Sequence, residues 1–189
     1  FRSRIGAWLK KTYPERDAGP LLTMLARDLR CPPTSSLGSW FDAAAGILGM
    51  RAASCYEGQA AMELEGLATA YGPVAPLADG WCMRDGVLDF SPLVLALLDC
   101  DDMAYGAALF HTTLAAGLAE WTLAAVDREK VGKIAVGGGC AMNAVLMSAL
   151  RQRLEAAGVT LLEARQAPPN DGGLALGQGW VARRMFKEM

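Results

Sequence analysis

A triple glycine follows a short apolar run. Lys133-Ile134-Ala135-Val136 leads into Gly137-Gly138-Gly139, and Asn143 lies in the first turn of the helix expected next. Glycines let backbone N–H groups approach an anion closely, and a helix N-terminus adds the positive end of its dipole. The spacing matches neither the phosphate loop ending in Gly-Lys-Ser/Thr nor the dinucleotide fingerprint. Two readings therefore stay open: a loop that binds nucleotide or phosphate, with Asn143 reaching the ligand, or a tight strand-to-helix turn that needs glycine for its geometry. Cys140 sits at the same helix start, where the dipole would lower a thiol pKa. No histidine lies near it in sequence to activate it, so it reads as a structural cysteine.

The second constellation is Pro168-Pro169-Asn170-Asp171-Gly172-Gly173. A carboxylate in such a loop can hold a metal ion beside a triphosphate. The plain alternative is that Asn170 or Asp171 caps the helix that follows. Asp42 comes four residues after Gly38 near another helix start, placed either to accept hydrogen bonds from ribose hydroxyls or to decorate a helix surface. Glu57, Glu63 and Glu65 put carboxylates beside or on an alanine-rich helix. Paired carboxylates suit acid/base work, but Glu63 and Glu65 are two apart and face different ways, so both are expected in solvent. His111 is the only histidine, which excludes a His-Glu-x-x-His site within the chain, and it reads as a core or interface residue. Arg151, Arg153 and Arg183-Arg184 read as helix-surface charge.

The elements that must carry these residues differ between two stretches. Residues 1–80 read as helices broken by short loops: one through Leu21 to Leu29 that ends before Cys31-Pro32-Pro33, one carrying Trp40, Phe41, Ile47 and Leu48, and one from about Glu57 to Tyr71. Thr34-Ser35-Ser36 offers hydroxyls to cap the second, and Met62 and Leu64 are expected to point inward from the third. Residues 81–189 read as an α/β lobe. Arg84-Asp85-Gly86 sits between two apolar runs like a hairpin turn, and Ser91-Pro92 starts a short helix. Asp102 to about Val126 should be a long helix with one apolar face through Tyr105, Leu109 or Phe110, Leu114, Leu118, Trp121 and Ala125. Then come a buried strand at 133–136, a helix at 141–157 with Leu146, Leu150 and Leu154 on one side, a strand at 159–162 and a last helix. Gly173 and Gly177 in that helix read as a close packing groove.

Composition removes several function classes. The chain has 189 residues, enough for one or two domains and a sizeable core. Its 52% hydrophobic and 20% charged residues exclude a disordered or fibrous chain. A formal charge of −2 argues against a dedicated nucleic-acid binder, and no apolar run is long enough for a membrane span. Five cysteines, an odd number without a two-residue gap, fit reduced thiols in a cytoplasmic protein better than a disulfide or zinc framework. The start at Phe1-Arg2-Ser3-Arg4 shows no export signal and reads like a piece cut from something longer.

Four stretches together resemble a known family. They are Thr34-Ser35-Ser36-Leu37-Gly38-Ser39-Trp40-Phe41-Asp42-Ala43, Tyr56-Glu57-Gly58-Gln59-Ala60-Ala61-Met62-Glu63-Leu64-Glu65, Val136-Gly137-Gly138-Gly139 with Asn143, and Pro168-Pro169-Asn170-Asp171-Gly172-Gly173-Leu174-Ala175-Leu176-Gly177-Gln178. In order and spacing they are similar to the carboxy-terminal, Kae1-like part of the hydrogenase maturation carbamoyltransferases, the HypF family. The resemblance implies an α/β lobe of the actin-like ATPase (ASKHA, ribonuclease H-like) superfamily with an additional helical N-terminal portion. It implies ATP and carbamoyl adenylate as ligands, carbamoyl phosphate as donor, and transfer of the carbamoyl group to the C-terminal cysteine of a HypE-type partner.

Carried over residue by residue, Gly137, Gly138, Gly139 and Asn143 would hold the adenylate, with Asn170 beside it. Gly38 and Asp42 would meet adenine or ribose. Asp171 matches the carboxylate that commonly ligates a divalent metal (Mg, Zn or Fe), and Glu57 matches a glutamate of the cleft; these two are the candidate catalytic residues. The chain departs from the pattern as well. The family's metal-binding His-x-x-x-His pair and its acylphosphatase-like, cysteine-rich zinc and adenylate-forming domains are not in this sequence. Ser39-Trp40 stands for a common Arg-Leu, and Gly139-Cys140 for a valine and a larger residue. Two alternatives stay open: a docking or scaffold module that has lost chemistry, and an O-carbamoyltransferase acting on a small molecule.

Overall fold

The computed structural model describes residues 2–14, 17–51 and 53–187, and these fall into two compact units, 1–117 and 118–189. The division lies inside one long helix.

The first unit is mostly helical: α1 (Arg2–Thr12), α2 (Gly19–Ala26), α3 (Leu37–Ile47), α4 (Gln59–Tyr71), a hairpin of β1 (Cys82–Arg84) and β2 (Val87–Asp89), α5 (Ser91–Leu97), and the first half of α6 (Met103–Glu129). Helix α2 is shorter than expected. Asp28 and Arg30 take left-handed backbone after it, so Leu29 lies outside the helix and is exposed. The Thr34-Ser35-Ser36 hydroxyls do not cap α3. Thr34 Oγ1 instead accepts from the Ser36 N–H at 3.1 Å, a turn that leads the chain into the helix. Phe41, Leu64, Leu93, Leu97, Phe110 and Leu114 form the buried centre, with Phe41 edge-on to Phe110 at 5.0 Å. Met62 points outward, at 52% exposure, because it stands two positions from Leu64 on a helix and so faces another way.

The hairpin pairs Cys82 with Asp89 and Arg84 with Val87 around Asp85 and Gly86, whose φ values of 51° and 79° suit the turn that matches strand twist. Asp89 Oδ1 then accepts from the Ser91 N–H at 2.8 Å, opening α5. Asp102 caps α6 by accepting from the N–H groups of Ala104 and Tyr105 at 2.9 and 3.1 Å. The one-face expectation for α6 fails in its first half. Ala107 through His111 are buried in succession, and small residues let neighbours close in from all sides, whereas Tyr105 and Trp121 are exposed.

The second unit carries the end of α6, β3 (Lys133–Val136), a single 3₁₀ turn (Gly139–Met142), α7 (Ala144–Ala156), β4 (Thr160–Glu163), a second 3₁₀ turn (Asp171–Gly173) and α8 (Leu174–Lys187). Strands β3 and β4 pair in parallel, from Lys133 opposite Thr160 to Val136 opposite Glu163. Met147, Leu150 and Leu154 of α7 pack with Ala119, Val159 and Leu161, and Ile134 and Val136 lie against that cluster. Strand β3 is therefore buried on one face only; Lys133 and Ala135 point to the other and are exposed. Helix α8 keeps Trp180 and Phe186 at 59% and 77% exposure.

Candidate functional site

Parallel pairing fixes where the two candidate loops leave the sheet. Both follow the carboxyl ends of their strands, at the same edge, where open α/β sheets hold their ligands. Gly137-Gly138-Gly139 comes off β3, and the 164–170 segment comes off β4. The two loops are joined by a backbone hydrogen bond, the Gly138 N–H donating to Pro169 O at 2.6 Å. Gly138 has φ 96° and ψ 170°, a conformation that side chains resist. Gly173 needs the missing side chain for a different reason: a Cβ there would run into the Pro168 carbonyl oxygen. The turn reading of the triple glycine is met at Gly138, where the backbone demands glycine, and Gly137, Gly138 and Gly139 are all exposed.

The polar residues of this loop pair divide their work. Asn143 is buried, and its Oδ1 accepts from the Leu146 N–H at 2.8 Å, making it the N-cap of α7. Asn170 does the same for the next turn, accepting from the Gly172 N–H at 3.0 Å. With Asn170 as cap, the Asp171 side chain is left exposed beside it on the 3₁₀ turn. Nearby, Arg151 of α7 pairs through Nε with Glu163 at the end of β4, 2.9 Å away, so Arg151 is not merely surface charge. Among the described residues no group of three or more His, Cys, Asp or Glu side chains is gathered for a metal ion. Asp171 is one carboxylate, a donor set that suits a cation whose other ligands come from phosphate oxygens and water.

The remaining predicted residues belong to the first unit. Gly38 and Asp42 lie one turn apart on α3, and Glu57 lies just before α4. Asp42 and Glu57 share the wall of a cavity of about 290 Å³ with Gly46, Arg51, Ser54 and Tyr56. Arg51 was not singled out in the sequence. Its Nε and one Nη each reach a Glu63 carboxylate oxygen at 2.6 Å, a two-pronged pair that overturns the expectation of a solvated Glu63. The signal was present in principle, because Glu63 follows Gln59 by one helical turn and Gln59 Nε2 donates to it at 3.1 Å. Hydrogen bonding from Arg51 holds the Glu63 carboxyl below its ordinary range, and the same bond raises the Arg51 guanidinium.

His111 takes no part in either group. It is buried edge-on to Phe41 and Phe110, and its Nδ1 lies 2.8 Å from Ala107 O. A carbonyl only accepts, so Nδ1 carries the proton. Burial pushes the imidazole pKa down, as expected for a core histidine.

The structure therefore brings together Gly137, Gly138, Gly139, Asn143, Asn170 and Asp171 in the second unit, and Asp42 and Glu57 in the first. A family model described as "Carbamoyltransferase, Kae1-like Domain, second subdomain" matches residues 3–178. The chain belongs to the HypF carbamoyltransferase family. It is 44% identical to carbamoyltransferase HypF2 of Cupriavidus necator, over 94% of this chain and 25% of that protein. It is 45% identical to carbamoyltransferase HypF of Rhizobium leguminosarum bv. viciae, over 88% of this chain and 22% of the relative. The chain thus spans about a quarter of the length of these HypF proteins. Among solved structures, a full-length HypF in its phosphate- and nucleotide-bound form is similar with a TM-score of 0.78 and 25% identity, covering 95% of this chain and 25% of that one. The Kae1-like α/β fold expected from the resemblance is the one this HypF-family chain carries.

Proposed function

We propose that this chain is the part of a HypF-type carbamoyltransferase that holds ATP and then carbamoyl adenylate, and that passes the carbamoyl group to the C-terminal cysteine of a HypE-type partner. The observation that carries this reading is the Gly138–Pro169 hydrogen bond, which presents the glycine loop and Asp171 together at the carboxyl end of the parallel strands. The full-length relative with phosphate and nucleotide bound supports it by similarity.

In this assignment the Gly138 N–H holds the second loop through Pro169 O, the exposed Gly139 amide beside it faces the phosphate, and the caps at Asn143 and Asn170 hold both loops in shape. Asp171 gives a divalent cation, Mg²⁺ by its donor chemistry, one protein ligand; when bound, that ion neutralises phosphate charge. Within the first unit, Asp42 and Glu57 line a cavity whose hydrogen-bonding wall is assigned to a nucleoside or carbamoyl ligand. Transfer is an acyl substitution. The partner's thiolate attacks the carbamoyl carbon, the new C–S bond forms as the C–O bond to phosphate breaks, and AMP leaves with the electron pair. Fixed amides lower the barrier by meeting charge as it develops. Carbamoyl phosphate enters as donor in the complete protein, and the setting is the cytoplasm.

Intact-mass analysis of a HypE-type acceptor incubated with this chain and carbamoyl adenylate tests the proposal. The expected result is a carbamoyl adduct that disappears when the acceptor's C-terminal cysteine is replaced. An adduct formed only on a small alcohol would assign the O-carbamoyltransferase alternative, and a tight complex without any adduct would assign a docking module.

A further inference from the structure

The cavity of the first unit is bordered by a loop that has no apolar anchor. Residues 53–58 are all exposed, so burial does not fix their conformation and polar contacts must. We propose that Arg51, Gln59 and Glu63 are positioning residues, a clamp that closes the two ends of the 53–58 loop and so sets Glu57 on the cavity wall. The inference rests on Glu57 belonging to the ligand site, as assigned above.

Gln59 is the centre of the clamp. At 7% exposure it is one of few buried polar side chains, and a buried amide needs partners on both its atoms. Its Oε1 accepts from the Cys55 N–H at 2.8 Å, reaching back into the loop, while its Nε2 donates to Glu63 Oε1 at 3.1 Å. The amide has one orientation only, because the Cys55 N–H donates and the Glu63 carboxylate accepts. Glu63 in turn grips Arg51, which stands before the loop, through both carboxylate oxygens. The Arg51 carbonyl is itself within 3.1 Å of the Tyr13 hydroxyl, tying that end to α1. Gly58, at φ 77°, turns the chain from Glu57 into α4. The chain of contacts runs from Tyr13 to Arg51, Glu63, Gln59 and Cys55, and Glu57 lies between the last two in sequence. This also accounts for the second half of the Tyr56–Glu65 stretch, in which Gln59 and Glu63 sit one turn apart on one helix face. Lysine at 51 would keep the charge and lose the planar fork.

Hydrogen–deuterium exchange on the whole chain, combined with calorimetric titration of ADP, tests the clamp. In Gln59→Met and Arg51→Lys the Cys55 amide should exchange at least tenfold faster, with the buried part of α6 unchanged. Gln59→Met should weaken ADP binding five- to tenfold, and Glu57→Gln combined with Gln59→Met should be no weaker than twofold below the poorer single variant, since Gln59 acts through Glu57. Unchanged exchange of the Cys55 amide in both variants overturns the clamp, as do affinity losses that multiply in the double variant. Arg51→Lys is the milder change and keeps the exchange test available if Gln59→Met folds poorly. A Glu57→Gln chain that binds ADP like the parent overturns the assignment of Glu57 to the site instead, and the exchange result then decides the clamp by itself.

Discussion

Asn143, a candidate site residue, satisfies the fold with its side chain. Its amide oxygen is spent on the Leu146 N–H, so Asn143→Ala should cost about 1 kcal/mol, the ordinary worth of an N-cap, while Asn143→Asp should keep most of it. Paired thermal melts check this, and any loss of nucleotide binding in the alanine variant must be read against that destabilisation. His111 gives a prediction in pH. Its folded pKa lies below its ordinary value, so the unfolded chain binds more protons between the two. The stability it contributes is whole above pH 6.5 and falls as pH drops below that, with a slope of up to about 1.4 kcal/mol per pH unit. Melts between pH 7.5 and 5.5 should show Tm falling, and His111→Phe should flatten that part of the curve. Glu63 acts lower on the scale. Its depressed carboxyl contributes stability that is lost only as pH falls below about its ordinary 4.5.

Elements were legible where local chemistry alone decides them. The Asp85-Gly86 turn, the Ser91-Pro92 helix start and the Leu146, Leu150, Leu154 face of α7 stand as the sequence implied, and the 133–136 strand is in place though buried on one face only. Misreadings came where a distant partner decides. Helix α6 was expected to be amphipathic, but nothing in its own sequence reveals neighbours on every side of Ala107–Leu114. The Arg51–Glu63 pair was hidden because the two residues are twelve apart, Arg51 in the loop after α3 and Glu63 on α4. The cap at Asn170 was one of two local options, and only the folded turn, in which Asn170 accepts from the Gly172 N–H, separates it from Asp171. The packing of α6 makes its own prediction. Phe110 is fully buried against Phe41, so Phe110→Ala should cost about 3–5 kcal/mol, measurable as a lower denaturant midpoint. Trp180→Ala on exposed α8 should change stability by less than about 0.5 kcal/mol.

The molecule as a whole has two compact units and spans about a quarter of the length of the two HypF relatives named above. Its candidate residues are shared between the units, the loop pair in one and the Asp42–Glu57 cavity in the other. No helix among the described residues is long and apolar enough to cross a membrane. The central claim is that the loops at the carboxyl ends of β3 and β4 hold a nucleotide's phosphates with Asp171 beside them. Calorimetric titration of the chain with ATP and Mg²⁺, run in parallel on Asp171→Asn, addresses it most directly. Asp171 is exposed and makes no cap, so the substitution should leave the melting transition in place. The account predicts saturable binding that weakens at least tenfold in Asp171→Asn. Equal affinity in the two chains, or no binding by a parent chain that melts cooperatively, would contradict it.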